Sequence, residues 1–313
     1  MEQDHRIHVS LAHLRSLEAA AAGLSFLPRQ PAGSVLSGRH ASRLRGRGLN
    51  FEEMRNYLPG DDVRSIDWKA TARTGSAHVR VFTEERDRPA LLVVDQRMAM
   101  FFGSQLNMKS VTAAEAAAIS AFRILGAGDR VGGIVFNDEA VRVVAPRRSR
   151  RSVFALLEAI SAMNNELHAE RQVRHRPGQL NAALDRAART AGHDHLVLVF
   201  SDFDGIDDDT ERRLRSLAAH NDVLLLLVHD PQALREFPAV KQVVGNVRAQ
   251  AEVDFSTPGV REAVSGYTRR RLADIHRWQD HIDLSVLPLS AGEDTLQQLR
   301  QQLRQHAPRR RSR

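Results

Sequence analysis

Between Ala90 and Asp95 the chain reads ALLVVD, five apolar residues closed by a carboxylate. A short apolar run with no polar alternation reads as a strand buried on both faces, the usual state of a strand inside a parallel sheet. His195–Phe200 is a second such run, followed at once by Ser201-Asp202. Open α/β sheets gather their ligand sites beyond the carboxyl ends of their strands. The two runs therefore place Asp95 and Asp202 on one edge.

From Pro89 onward, short strands alternate with helical stretches. Strands are expected at Ala90–Val94, Arg130–Phe136, Ala140–Val144, His195–Phe200, Val223–Val228 and Asp283–Leu287, with a weak one near Val240–Val244. Helices are expected at Val111–Leu125, Ser152–Met163, Leu180–Ala191, Asp209–Ala219, Gly259–Trp278 and Asp294–His306. Alternation of this kind builds a layered α/β domain around a mostly parallel sheet. Asn137-Asp138 breaks the pattern with a tight turn, so one strand should pair antiparallel at an edge.

Before Pro89 the chain has a different character. Ile7–Leu27 carries leucines on one helical face after Ser10, a candidate cap. Gln30–Arg47 has no periodicity. Phe51–Tyr57 reads as a helical turn, Leu58–Asp62 as a Pro-Gly turn with Asp61 or Asp62 capping a short helix through Asp67–Ala70, and Ala77–Glu84 as a half-exposed strand. The expected organisation is an N-terminal segment 1–88 packed on a main domain 89–307, with a basic, disordered tail 308–313.

Composition removes several chemistries. The 313 residues contain no cysteine, which excludes disulfides, thiolate metal sites and thiol catalysis. No apolar run reaches the ~20 residues that span a bilayer, and Met1–Leu14 lacks a signal-peptide pattern, so a cytoplasmic protein is expected. The net charge of +7 is concentrated in arginines at 39–47, 147–151, 269–271 and 309–313. Such clusters suit nucleic acid or an anionic surface, or simply a solvated exterior. No aromatic residues interleave with them to stack bases.

Catalytic and nucleotide motifs are equally sparse. There is no Gly-x-Ser-x-Gly elbow, and Gly126-Ala127-Gly128 follows a helix rather than a strand. His193 and His195 flank Asp194 without a further ligand at metal spacing. His276 and His281 flank Trp278 on an expected exposed face. Asp61, Asp62 and Asp67 lack the alternation of a calcium loop and fit turn closure, capping and pairing with Arg55, Arg64 or Arg73. Trp68 is expected to anchor a core.

The run GRGLNFEEMRNYLPGDDVRSIDWKATAR resembles the hallmark segment of the domain of unknown function 58 family. The residues carrying the likeness are Arg55, Tyr57, Pro59, Gly60, Asp61, Asp62, Arg64, Asp67, Trp68 and Arg73, and their expected role is structural. The two strand-ending aspartates and the hairpin resemble the von Willebrand factor A fold: three layers, a mostly parallel sheet and one antiparallel edge strand, here with an N-terminal extension. The resemblance implies a non-enzymatic adaptor that works with a MoxR-type AAA+ ATPase in chaperone-like maturation or remodelling of a client protein.

Such domains often hold a metal ion at an Asp-x-Ser-x-Ser motif, with a Thr and an Asp from later loops. Asp95 and Asp202 match the aspartates, but Arg97 and Ala99 stand at the two Ser positions and Gly178 at the Thr. The expectation is a degenerate adhesion site at Asp95, Arg97, Ala99, Gly178 and Asp202 that serves as a protein-binding edge, with no metal and no cofactor. Arg97 either pairs with Asp95, Asp202 or both in place of the ion, or points to solvent.

Overall fold

The structure is a computed structural model that describes residues 4–22, 49–58, 63–84, 89–169, 176, 178–234, 241–246, 249–254, 270–279, 281–282 and 284–305. Its contacts divide into two units, one formed by Met1–Gln30 with Arg88–Arg313 and the other by Pro31–Asp87.

The smaller unit is a hairpin with a short helix. β1 (Leu49–Asn56) pairs antiparallel with β2 (His78–Glu84), with a register shift between Phe51 and Glu53. The helical turn expected at Phe51–Tyr57 is thus a strand. FEEMRN lacks apolar alternation, and pairing with β2 overrides its local preference. α2 (Trp68–Thr74) is capped by Asp67, whose carboxylate accepts from the Lys69 and Ala70 amides, and it stops at Gly75 in the left-handed region (φ 77°). The cap is therefore Asp67; Asp61 and Asp62, with Pro59 and Gly60, lie outside the described residues. Trp68 is 70% exposed, not the core anchor expected of it. At the first position of a seven-residue helix it points away from Ala70 and Val79, which are buried. Arg64 and Arg73 are exposed, Tyr57 is half-buried, and Arg55 donates to the Asn56 carbonyl at 3.1 Å.

The larger unit carries a six-stranded sheet formed by β3 (Ala90–Asp95), β4 (Val131–Phe136), β5 (Val141–Arg147), β6 (Leu196–Ser201), β7 (Asp222–His229) and β10 (Ser285–Ser290), in the order β10-β7-β6-β3-β4-β5. Only β5 is antiparallel, paired to β4 through the turn at Asn137–Ala140. Numbered within this sheet, the order is 3-2-1-4-5-6, a doubly wound arrangement whose chain reversal lies between β3 and β6. At the opposite edge, β10 carries Pro288, which has no N–H to offer a further strand. A separate hairpin, β8 (Lys241–Asn246) with β9 (Ala249–Asp254), stands where one weak strand was expected.

Helices cover both faces. α1 (Leu11–Ala21), α3 (Lys109–Gly126), α4 (Arg150–Asn165) and α8 (Thr295–Gln305) pack over one core, built around Leu92, Val94, Phe200 and Val228. α5 (Gly178–Ala191), α6 (Asp208–Ala218) and a helical stretch at 270–279 (α7) cover the other, around Leu91, Val93, Val199 and Phe203. α1 packs against α3 and α4. Of the long helix expected at Gly259–Trp278, residues 259–269 lie outside the described set. Trp278 is buried, and its indole N–H donates to Glu211 at 3.1 Å, while His276 and His281 face outward.

Two features set how closely the layers approach. α3 buries Ala113, Ala114, Ala116, Ala117, Ala118 and Ala121, so its backbone sits near the sheet. In β4 a Cβ at Gly133 would stand 2.5 Å from the Leu156 side chain, and one at Gly132 would stand 2.4 Å from the Val144 carbonyl oxygen. Those glycines admit α4 and the irregular β5 pairing.

Candidate functional site

The carboxyl ends of β3 and β6 lie side by side because those strands pair in parallel, Val94 opposite Phe200. Asp95 and Asp202 consequently come together, each buried. A buried carboxylate requires compensation by charge and hydrogen bonds, and both receive it from this chain.

At Asp95 the partner is Arg97. Its Nε lies 3.0 and 3.1 Å from the two carboxylate oxygens and its Nη2 lies 2.7 Å from Oδ2. The Arg97 amide adds a 3.0 Å bond to Oδ1, and the Ser201 hydroxyl donates to Oδ2 at 2.6 Å. The guanidinium is 1% exposed. Its Nη1 reaches the Asp204 carbonyl at 3.2 Å, and its carbon lies 5.6 Å from the Phe136 ring centre. Burial opposes the Arg97 charge, but the adjacent Asp95 carboxylate outweighs it and raises the guanidinium pKa above its ordinary value. Of the two readings open from the sequence, the ion pair is the one found, and its partner is Asp95.

Asp202 has a different cation. Lys109, the first residue of α3, places Nζ 2.5 Å from Oδ2. Arg271 in α7 approaches the same oxygen at 4.0 Å and Asp204 at 3.5 Å. The Asp204 amide donates to Asp202 Oδ1 at 3.0 Å. Burial pushes the Asp202 pKa up, yet Lys109, then Arg271 and Arg97, more than reverse this and hold it below the ordinary carboxylate range. Three aspartates, 95, 202 and 204, thus stand against three cations, 97, 109 and 271.

Sequence reasoning did not single out Lys109 or Arg271. Lys109 lies fourteen positions after Asp95, across a loop without periodicity, and a Lys opening a helix carries no motif. Arg271 sits in a basic stretch that reads as a solvated face. A buried polar relay behind the site was also missed. Gln96 donates to the Ser110 carbonyl at 3.0 Å, Asn164 donates to Gln96 at 2.9 Å, and the Val9 amide donates to Asn164 at 2.8 Å.

Ala99 and Gly178 stand apart from the paired charges. Ala99 is half-buried in the 3₁₀ turn Met98–Met100, and Gly178 opens α5 with nothing within 4 Å of a Cβ built on it. Next to them, the Met98 amide donates to Asp138 at 2.7 Å and Gln179 donates to the Asp138 carbonyl at 3.1 Å.

Phe203, immediately after Asp202, is buried with φ 54°, a left-handed backbone uncommon for an aromatic residue. Its amide donates to Ser201 Oγ at 2.9 Å. The kink turns Asp202 and Asp204 to the edge while the ring enters the α5–α6 core.

A divalent ion in the manner of a metal-dependent adhesion site does not suit this donor set. Mg²⁺ asks for near-octahedral oxygen ligands. Here both Asp95 oxygens and one Asp202 oxygen face cationic nitrogens, and neither Arg97 nor Ala99 offers a hydroxyl. Among the described residues, no group of three or more His, Asp or Glu side chains is arranged to hold a metal ion.

Strand order and the antiparallel edge define a von Willebrand factor A-like α/β domain, and at its carboxyl edge Asp95 and Asp202 are paired with the chain's own cations. The family model described as "Protein of unknown function DUF58" matches residues 53–273, and the chain belongs to that family. It is 33% identical over 282 residues to uncharacterised proteins of Mycobacterium tuberculosis H37Rv and Mycobacterium bovis, covering 90% of this chain and 86% of those proteins. Among solved structures it is similar to the conserved hypothetical protein BatB of Bacteroides thetaiotaomicron, with a TM-score of 0.41, 14% identity and coverage of 70% of this chain and 98% of that one. A von Willebrand factor type A protein of Catenulispora acidiphila gives a TM-score of 0.33 and 12% identity, covering 72% of this chain and 43% of that one. No described helix is long and apolar enough to cross a membrane.

Proposed function

We propose that the larger unit is a non-enzymatic protein-binding module whose docking surface is the carboxyl edge around Asp95, Arg97, Ala99, Gly178 and Asp202. Its partner is a MoxR-type AAA+ ATPase, with which it acts on a client protein in chaperone-like maturation or remodelling in the cytoplasm. The carrying observation is the pairing of Asp95 with Arg97 and of Asp202 with Lys109. These groups neutralise one another, so neither Asp95 nor Asp202 is left as a free base or as a carboxylate open to a metal ion. What the edge offers is shape, fixed dipoles and a rim of exposed side chains. Phe102 and Leu106, 48% and 40% exposed, lie on the β3–α3 loop of that edge and supply apolar surface to the rim. The ATPase as partner, and the client, come from the family resemblance.

The test is binding of the full chain to the MoxR-type ATPase of the same genome, measured by biolayer interferometry with and without EDTA. A complex that ignores EDTA and weakens in Asp202→Arg and in the surface variant Phe102→Asp supports the reading. Absence of binding, or binding that requires a divalent ion, refutes it. Salt-dependent retention on DNA would favour action through the arginine clusters instead.

A further inference from the structure

The same edge continues past Asp202 to the ends of β7 and β10, where it opens into a cavity of about 440 Å³. Its lining includes His229, Pro231, Pro288, Ser290, Glu293 and Gln301. We infer that this cavity receives a basic side chain, arginine above all, presented by the docked partner protein. The inference rests on the docking role proposed above and specifies what that edge recognises.

The charges around the cavity point to a cation. Glu293 is exposed on its wall and, among the described residues, its carboxylate has no hydrogen-bond or ion-pair partner. Asp230, the next residue after His229, is a buried anion held by the Ser104 amide at 2.7 Å, the Ser104 hydroxyl at 2.6 Å and the Gln232 amide at 2.8 Å. The nearby cation, Lys109, is already committed to Asp202. Burial, the largest influence on His229, lowers its pKa, so the imidazole is neutral near pH 7 and adds no positive charge. Its Nδ1 is buried without a hydrogen-bond partner. Glu293 is thus the uncompensated charge on the wall, surrounded by amide and imidazole groups that donate or accept.

Shape agrees with charge. An arginine side chain has a long apolar stem and a planar head with five donors. Pro231 and Pro288 offer apolar wall to the stem, and Glu293 with the Gln301 amide oxygen offers acceptors to the head. The ligand is assigned to a protein because of the setting. Gln105, which also lines the cavity, lies between Ser104 and Leu106 on the loop that exposes Phe102 and Leu106. That loop is pinned to residues adjoining the cavity lining, by Ser104 bonded to Asp230 and by the Asn107 amide bonded to the Ala291 carbonyl at 2.9 Å. A partner resting on the apolar rim brings its own side chains to the cavity mouth.

The probe is the capped peptide acetyl-Gly-Arg-Gly-amide, titrated into the full chain with the His229 ring followed by ¹H–¹³C NMR and the peak assigned with His229→Gln. The expected result is saturable movement of that peak, absent with the citrulline peptide and about tenfold or more weaker in Glu293→Gln, the loss that goes with removing a charge-assisted hydrogen bond. Glu293 is exposed, so the variant should keep the wild-type melting temperature. Equal response to the citrulline peptide, no effect of Glu293→Gln, or spermidine binding as tightly as the peptide would each overturn the inference. The docking role fails separately. If the peptide binds but the ATPase does not, the cavity's ligand class stands and the partner is wrong. If the ATPase binds and Glu293→Gln leaves it unchanged, docking stands and this inference falls.

Discussion

Lys109→Met tests the site where it is most sharply determined. The change keeps the length of the side chain along α3 and removes only the ammonium, which leaves Asp202 without its closest cation. Breaking a buried pair by removing one partner costs about 3–5 kcal/mol. Asp202 keeps the Asp204 amide at 3.0 Å and Arg271 at 4.0 Å. The expected loss is therefore at the low end, about 3 kcal/mol, or on the order of 6–12 °C in melting temperature for a unit of this size. The loss should depend on pH. In the native protein the Asp202 pKa is lowered, so its contribution is present above the unfolded value near 3.9 and disappears as pH falls through the folded one. Lys109 is the strongest of the charges that hold that pKa down, so without it the carboxyl pKa moves up, and the variant's deficit should be largest at pH 7 and shrink on acidification towards pH 4. The double variant Lys109→Met/Asp202→Asn should recover most of the stability at pH 7. Urea denaturation followed by circular dichroism at both pH values reads all of this. A single variant that loses less than about 1 kcal/mol, or a double variant no more stable than Lys109→Met, would refute the reasoning.

Arg97→Ala should be at least as costly, about 3–5 kcal/mol by chemical denaturation, because Asp95 would keep only the Ser201 hydroxyl and a backbone amide. Millimolar MgCl₂ should leave the melting temperature unchanged. A shift of several degrees, the effect of a ligand at about a hundred times its dissociation constant, would show that the edge does take a metal. Phe203→Gly removes the left-handed strain, worth about 1 kcal/mol, but also a buried ring worth about 3–5 kcal/mol, so the variant should be less stable by roughly 2–4 kcal/mol in urea.

Much of this was readable from residue pattern. The runs at Ala90 and His195 are long, apolar and unambiguous, so the strands, their common edge and the position of Asp95 and Asp202 follow from periodicity alone. The pairing of Arg97 was readable only as one of two alternatives, because a position two residues from Asp95 allows the side chain to reach that carboxylate or to turn to solvent. Lys109 and Arg271 were not, since their roles exist only once α3 and α7 are packed beside β6. Trp68 misled because a large aromatic residue normally seeks a core, and nothing in its local sequence shows that the first turn of α2 points it outward. β1 misled for a related reason: its polar composition hides a strand that exists through its pairing with β2.

The alanine-lined buried face of α3 has a mechanical consequence. A helix whose core-facing side is mostly methyl groups has almost no rotamers with which to absorb a disturbance, so it responds by shifting as a body. Lys109 rides at the head of that helix. Any overpacking along Ala113–Ala121 should therefore be transmitted some distance as a displaced ammonium, and the charge balance of the edge becomes a gauge of how well the helix is seated.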